Sequence, residues 1–235
     1  MTSDRSLRAE LVIVLAVTFG TSGLRAGLRL IDGLLAPAPL NEQQVTLNDA
    51  QSSVTWLDLA LQVASALTLF AWGALALFLL GRRLSWPSLS DWPRGVALAA
   101  VIGLPGLALY VAALHFGWTR EVVVATDAAQ LPTLLVWSAA NAFGEEIVVV
   151  LWLLTRLRQL GLSPAAAIAS SAALRGTYHL YQGVSAGLGN VVMGVVYAGY
   201  FHATGRIWPL ILGHFLIDAT AYLGYQFLDL SWLGL

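Results

Sequence analysis

The chain has 235 residues, 58% of them hydrophobic and only 11% charged, with a mean hydropathy of +0.74, far from the roughly 25% charged residues of a soluble domain. The formal net charge of -1 says nothing about partners, no basic patch suggests nucleic acid, and the absence of cysteine excludes disulfides, thiolate metal sites and cysteine nucleophiles. What remains is an integral membrane protein: an all-α, polytopic transmembrane helical bundle forming a single integral membrane domain over residues 1–235.

A helix needs about 20 apolar residues to cross a bilayer core of about 30 Å. Seven stretches meet that need, at 11–35, 54–80, 95–116, 131–155, 164–182, 187–204 and 207–228, so about seven to eight spans are expected. Arg5 and Arg8 before the first of them resemble a signal peptide, but Pro39 and the long distance to Ala36-Pro37-Ala38 favour a retained span. Its second half carries Arg25, Arg29 and Asp32, so this span is expected to be tilted, broken or partly interfacial. The arginines set the orientation. With the N-terminus cytoplasmic, the inner connections hold Arg5, Arg8, Arg82, Arg83, Arg94, Arg156, Arg158 and Arg206, and the outer ones only Arg120. The polar segment 37–53 is then outer.

Local signals agree with these limits. Ser163-Pro164 reads as an N-cap followed by proline at the first helical position. Trp86 and Trp92, each before a proline, sit at headgroup depth around an inner connection. Gly187, Gly189, Gly194 and Gly199 read as a close-packing helix face. Asp58 and Gln62 read as interfacial or packing residues. No internal repeat suggests an inverted-repeat transporter.

The chemistry concentrates further on. In Asn141 to Val150, NAFGEEIVVV, Glu145 and Glu146 lie inside an otherwise lipid-compatible span, where an ionised carboxylate needs a partner or a polar cavity. Neighbours on a helix project about 100° apart, so one glutamate can face a cavity while the other is held by a partner. Arg175 and His179 are four apart on the fifth span, and His214 and Asp218 are four apart on the seventh, so each pair shares a face. Counted at about 1.5 Å per residue from the inner boundary, Glu145, His214 and His179 lie roughly 15, 10 and 22 Å deep, a scatter compatible with one shared site. Taken singly, these residues have structural explanations: an aromatic anchor at His179, a helix-stabilising pair at His214 and Asp218, an ion pair between the glutamates and Arg175. Taken together they point to water activation beside a carbonyl. A glutamate screened from bulk water serves as general base, and histidines position water or bind the developing oxyanion. Glu145, His179 and His214 also form a set that Zn2+ accepts, so Zn2+ and no metal both stay open. His115 and His202 fall at span ends and read as solvated. Ser170 and Ser171 have no base in reach.

At these residues the chain resembles the CPBP family of intramembrane proteases, which includes CAAX prenyl protease 2 and bacteriocin-processing proteins. The resemblance rests on the Glu145-Glu146 pair, His179 on the next helix, the glycine-rich span, and His214 to Asp218, in that order. It marks 131–218 as a protease-like core and implies that Glu145 activates water with His179, while His214 and the residue four later bind the oxyanion. Three positions depart from the family pattern. Val150 stands where the first motif has arginine, Arg175 where the second has phenylalanine, and Asp218 where the last has asparagine. The first two are read as linked, with Arg175 supplying from the fifth span the cation that neutralises Glu146. Asp218 must then be protonated, paired with His214, or engaged with a metal.

The function expected is therefore an intramembrane endopeptidase acting by glutamate- and histidine-activated water, with catalytic residues Glu145, Glu146, His179, His214 and Asp218 and charge partner Arg175. Its expected partners are membrane lipid and a peptide or membrane-protein substrate, in a cell (plasma) membrane. The alternatives are an inactive membrane scaffold or chaperone of the same family, and a proton- or cation-coupled transporter.

Overall fold

The computed structural model describes residues 4–124 and 131–227. Helices dominate: α1 (Asp4–Val17), α2 (Phe19–Leu35), α3 (Thr55–Leu80), α4 (Asp91–His115), α5 (Leu131–Glu145), α6 (Leu153–Gln159), α7 (Pro164–His179), α8 (Val184–Thr204) and α9 (Trp208–Phe227). Between α5 and α6 the chain stays helical but widens into a π-helix over Glu146–Trp152. Two four-residue strands, β1 (Gln44–Leu47) and β2 (Glu121–Val124), pair in parallel, with Gln44 opposite Glu121. The sequence reading of an all-α bundle did not include this small sheet. Its valines at 122–124 are β-branched, but four residues are too few for a period to register.

Four helical stretches among the described residues are long and apolar enough to cross a membrane: Thr55–Leu80, Asp91–His115, Leu131–Gln159 and Val184–Thr204. The first expected span is broken. α1 and α2 meet at Thr18 with a bend of 48°, and as one bent pair they would make a fifth crossing. Seven to eight crossings would need α7 and α9 as well. α7 has only 16 residues, and α9 is diluted by His214, Asp218 and other polar groups. These are the two helices that carry the polar stripes, and a helix sheltered by its neighbours needs less apolar surface than one facing lipid.

The Leu131–Gln159 helix is the axis of the bundle, two-thirds buried within it against a third or less for the other three crossings. Every residue from Glu145 to Leu154 is buried. α3 and α9 pack on α5, α7 packs on α8 and on α2, and α4 packs on α9. A π-turn shifts backbone carbonyls out of the regular ladder, and Ser171, fully buried on α7, donates to the Val149 carbonyl at 2.7 Å. At one end Glu10 of α1 accepts from Trp152 Nε1 at 2.9 Å and from Arg156 Nε at 2.8 Å, and Arg156 also donates to the Leu79 carbonyl. Arg206 pairs with Asp91 at 3.0 Å at the same end. At the other end Arg120 donates to Gln43 Oε1, the Tyr181 carbonyl and the Arg29 carbonyl, tying α2, the segment before β1 and the turn after α7 together. Arg156 and Arg206 therefore lie at one end of the bundle and Arg120 at the other.

Ser163 caps α7 by accepting from the Ala166 amide, with Pro164 following as expected. Asp58 and Gln62 are buried and hold the connection before α3: Asp58 accepts from the Gln51 amide at 2.6 Å, and Gln62 binds Trp137 Nε1 and the Asp49 carbonyl. On α8 a methyl added at Gly194 would lie 2.6 Å from Ala172 Cα, whereas one at Gly199 would meet open space. Gly194→Ala should therefore lower stability by about 1–3 kcal/mol through overpacking. Gly199→Ala should be neutral or stabilising, because the helix loses glycine's backbone entropy cost. Thermal unfolding of both variants in detergent checks this; equal midpoints would mean that α7 and α8 separate freely.

Candidate active site

The residues singled out by sequence converge where α5 gives way to the π-helix, facing α7 and α9. Arg175 is fully buried and its guanidinium reaches both glutamates: Nη2 lies 2.5 Å from Glu146 Oε1 and Nη1 lies 3.4 Å from Glu145 Oε2. A planar fork suits two carboxylates on successive residues, since each takes a separate nitrogen. The face of the guanidinium lies 5.7 Å from the Tyr197 ring centroid, and Nη1 is 3.7 Å from Met193 Sδ.

The two glutamates then diverge. Glu146 is completely buried, and its Oε1 also accepts from His214 Nδ1 at 2.8 Å. Glu145 ends α5 and accepts on Oε2 from the Tyr178 hydroxyl at 2.6 Å, while its Oε1 has no hydrogen-bond partner among the described residues. The division anticipated from the 100° spacing is thus present in modified form: both touch Arg175 and each leaves one oxygen without a partner, but Glu146 Oε2 is wholly buried while Glu145 keeps slight exposure.

His214 stands between two carboxylates, with Nδ1 on Glu146 and Nε2 3.7 Å from Asp218 Oδ1. Asn141, one turn before Glu145, directs its amide nitrogen at Asp218 Oδ2 at 3.5 Å. Asp218 is therefore paired, one of the three states the sequence allowed for it. His179, half-buried at the end of α7, has Nδ1 2.9 Å from the Arg175 carbonyl, so that nitrogen carries the hydrogen. Its Nε2 is left as an acceptor. The ring packs on Tyr178 at 4.6 Å between centroids and lies within electrostatic reach of Glu145.

The zinc option does not fit this arrangement. Among the described residues no three His, Asp or Glu side chains are disposed to hold a metal ion, and His214 Nδ1 is committed to Glu146.

Three participants escaped the sequence reading. Tyr178 follows Arg175 by three and so shares its helical face, a signal hidden by its resemblance to an interfacial aromatic. Asn141 precedes Glu145 by four on one face. Tyr197 carried no signal, because only the packing of α8 on α7 brings it over Arg175. Val150 is fully buried in an apolar core, and the cation absent from its position is supplied to the same two glutamates by Arg175.

No curated protein and no solved structure matches the chain. Residues 127–220 match the family model described as Type II CAAX prenyl endopeptidase Rce1-like. That stretch holds every residue of the cluster, from Asn141 to Asp218. Over residues 127–220 the chain is therefore similar to the Rce1-like family of the CPBP group.

Proposed function

We propose that the protein is an intramembrane endopeptidase in which Glu145 is the general base. The observation that carries this reading is the uncommitted Oε1 of Glu145, on a carboxylate that keeps slight exposure, whereas Glu146 is wholly buried, with Oε1 taken by Arg175 and His214 and Oε2 sealed in without a partner. Tyr178 and Arg175 hold Oε2 and so aim Oε1. A water on Oε1 would give its proton to that oxygen as it attacks the scissile carbonyl carbon, with its second hydrogen on His179 Nε2. The negative charge moves to the carbonyl oxygen. An imidazolium at His214, anchored by Glu146, offers Nε2–H to that oxyanion, and the Asn141 amide offers a second donor. Asp218 holds both donors until the oxyanion displaces it. Collapse breaks the C–N bond, and the proton on Glu145 passes to the leaving amine. Fixed donors aimed at developing charge in a dry site supply much of such a rate enhancement.

The substrate class follows from the setting: a peptide or membrane protein presented within the lipid of a cell (plasma) membrane. The family description names a prenyl endopeptidase, and a prenylated C-terminal peptide is one candidate. The test uses purified full-length protein in liposomes with membrane-embedded peptides, prenylated and unprenylated, in water enriched in oxygen-18, with and without a chelator. Wild type should give products with one labelled oxygen in each new carboxylate, unaffected by the chelator, and Glu145→Gln should give none. Absence of product from folded wild type would replace this reading with the scaffold.

A further inference from the structure

The bundle's other end holds a second polar feature that the proposed chemistry does not use. Between the connection after α3 and the start of α9 lies a cavity of about 290 Å3, lined by Arg82, Arg83 and Arg206 with Trp208 and floored by buried Leu151 and Ile207. Arg206 is half committed. It binds Asp91, the single acidic residue in the lining, through Nε at 3.0 Å, and Ser88 and Ser90 through Nη2. Arg82 and Arg83 are exposed, and neither side chain has a hydrogen-bond or ion-pair partner among the described residues. Three arginines face one already neutralised aspartate, so the cavity carries an excess of positive charge with open guanidinium donors.

We infer that this cavity binds the phosphate headgroup of an anionic phospholipid. Guanidinium forks match phosphate oxygens, two donors to a group. Basic pockets between membrane helices take anionic headgroups in the same way. The volume lies at the lower limit of small-ligand pockets, about 300–1,000 Å3, which suits a headgroup and excludes a whole lipid. Lipid is favoured over free phosphate by the surroundings. Trp86, which also lines the cavity, is 91% exposed, and nearby Trp92 is 49% exposed. Tryptophans on this scale of exposure mark headgroup depth in a membrane protein, and the apolar floor suits a glycerol backbone better than a hydrated ion. The arginine-rich connection would then hold the bundle against one leaflet, close to the axial helix through Leu151.

Native mass spectrometry of the full-length protein in neutral detergent tests this with phosphatidylglycerol, phosphatidylcholine and excess inorganic phosphate. Phosphatidylglycerol should be retained in preference to phosphatidylcholine. Arg82→Gln/Arg83→Gln should weaken it about tenfold or more without changing the melting temperature, since neither side chain supports the fold. Arg5→Gln/Arg8→Gln, which removes the same charge at the same end outside the cavity, should leave it nearly unchanged. Three outcomes would overturn the inference: equal retention of the two lipids, an equal loss in both arginine variants, or displacement of the lipid by the excess inorganic phosphate.

Discussion

Glu145→Gln should reduce kcat for peptide cleavage by about 10²- to 10⁴-fold, the usual contribution of a positioned general base, while the protein accumulates and melts like wild type. Glutamine keeps the shape of the side chain, and its carbonyl oxygen still accepts from the Tyr178 hydroxyl. Its amide nitrogen then occupies the position of the free Oε1 and cannot take a proton from water. Arg175 retains its shorter contact, to Glu146, so little folding energy is lost. Glu146→Gln is the informative contrast. It weakens charge-assisted bonds from both Arg175 and His214, each worth about 1.5–3 kcal/mol, and should lower stability as well as activity. Measuring kcat, KM and thermal midpoints of both variants in the same detergent separates the two roles. Retention of a tenth or more of wild-type kcat in Glu145→Gln would remove it from the role of base.

Arg175→Leu should be the most damaging substitution to the fold. Removing one partner of a buried ion pair typically costs about 3–5 kcal/mol, against a total stability of about 5–15 kcal/mol. Here the loss strands two carboxylates, Glu145 and Glu146, and the contact with the Tyr197 ring. Adding Glu146→Gln removes the more deeply buried charge while keeping an acceptor for His214, and should restore more than half of the lost accumulation. Arg175→Lys should be intermediate, because an ammonium is a point charge that cannot fork to two carboxylates. Membrane-fraction yield and denaturation midpoints report on this series. A double variant no better than Arg175→Leu would show that the pair with Glu146 does not carry the stability. The same series bears on Val150, because rescue by neutralising Glu146 means that a cation from either helix serves the glutamate pair.

Read from sequence alone, the membrane character, the helical class and the polar residues of the site were all accessible, each for a local physical reason. Long apolar runs have no other stable home than a bilayer or a large core. Carboxylates, an arginine and histidines inside such runs are too costly to be incidental, and a spacing of four puts a pair on one face whatever the tertiary fold. Which partner each group takes was decided only in three dimensions. Glu146 and His214 are 68 residues apart, and Tyr178 meets Glu145 across 33. The π-helix at Glu146–Trp152 packs against α7 and α3 and had no signal in the sequence, since valine and isoleucine at 147–150 suit an ordinary turn equally well. The bend at Thr18 was only hinted at by the charges of α2, and the β1–β2 pairing joins segments 77 residues apart that are each too short to declare themselves. Sequence spacing reports faces of single helices, whereas contacts between helices depend on how the whole bundle closes. That is why the inventory of the candidate site was legible and its partnering, Arg175 and His214 both on Glu146 Oε1 and Tyr178 on Glu145 Oε2, was not.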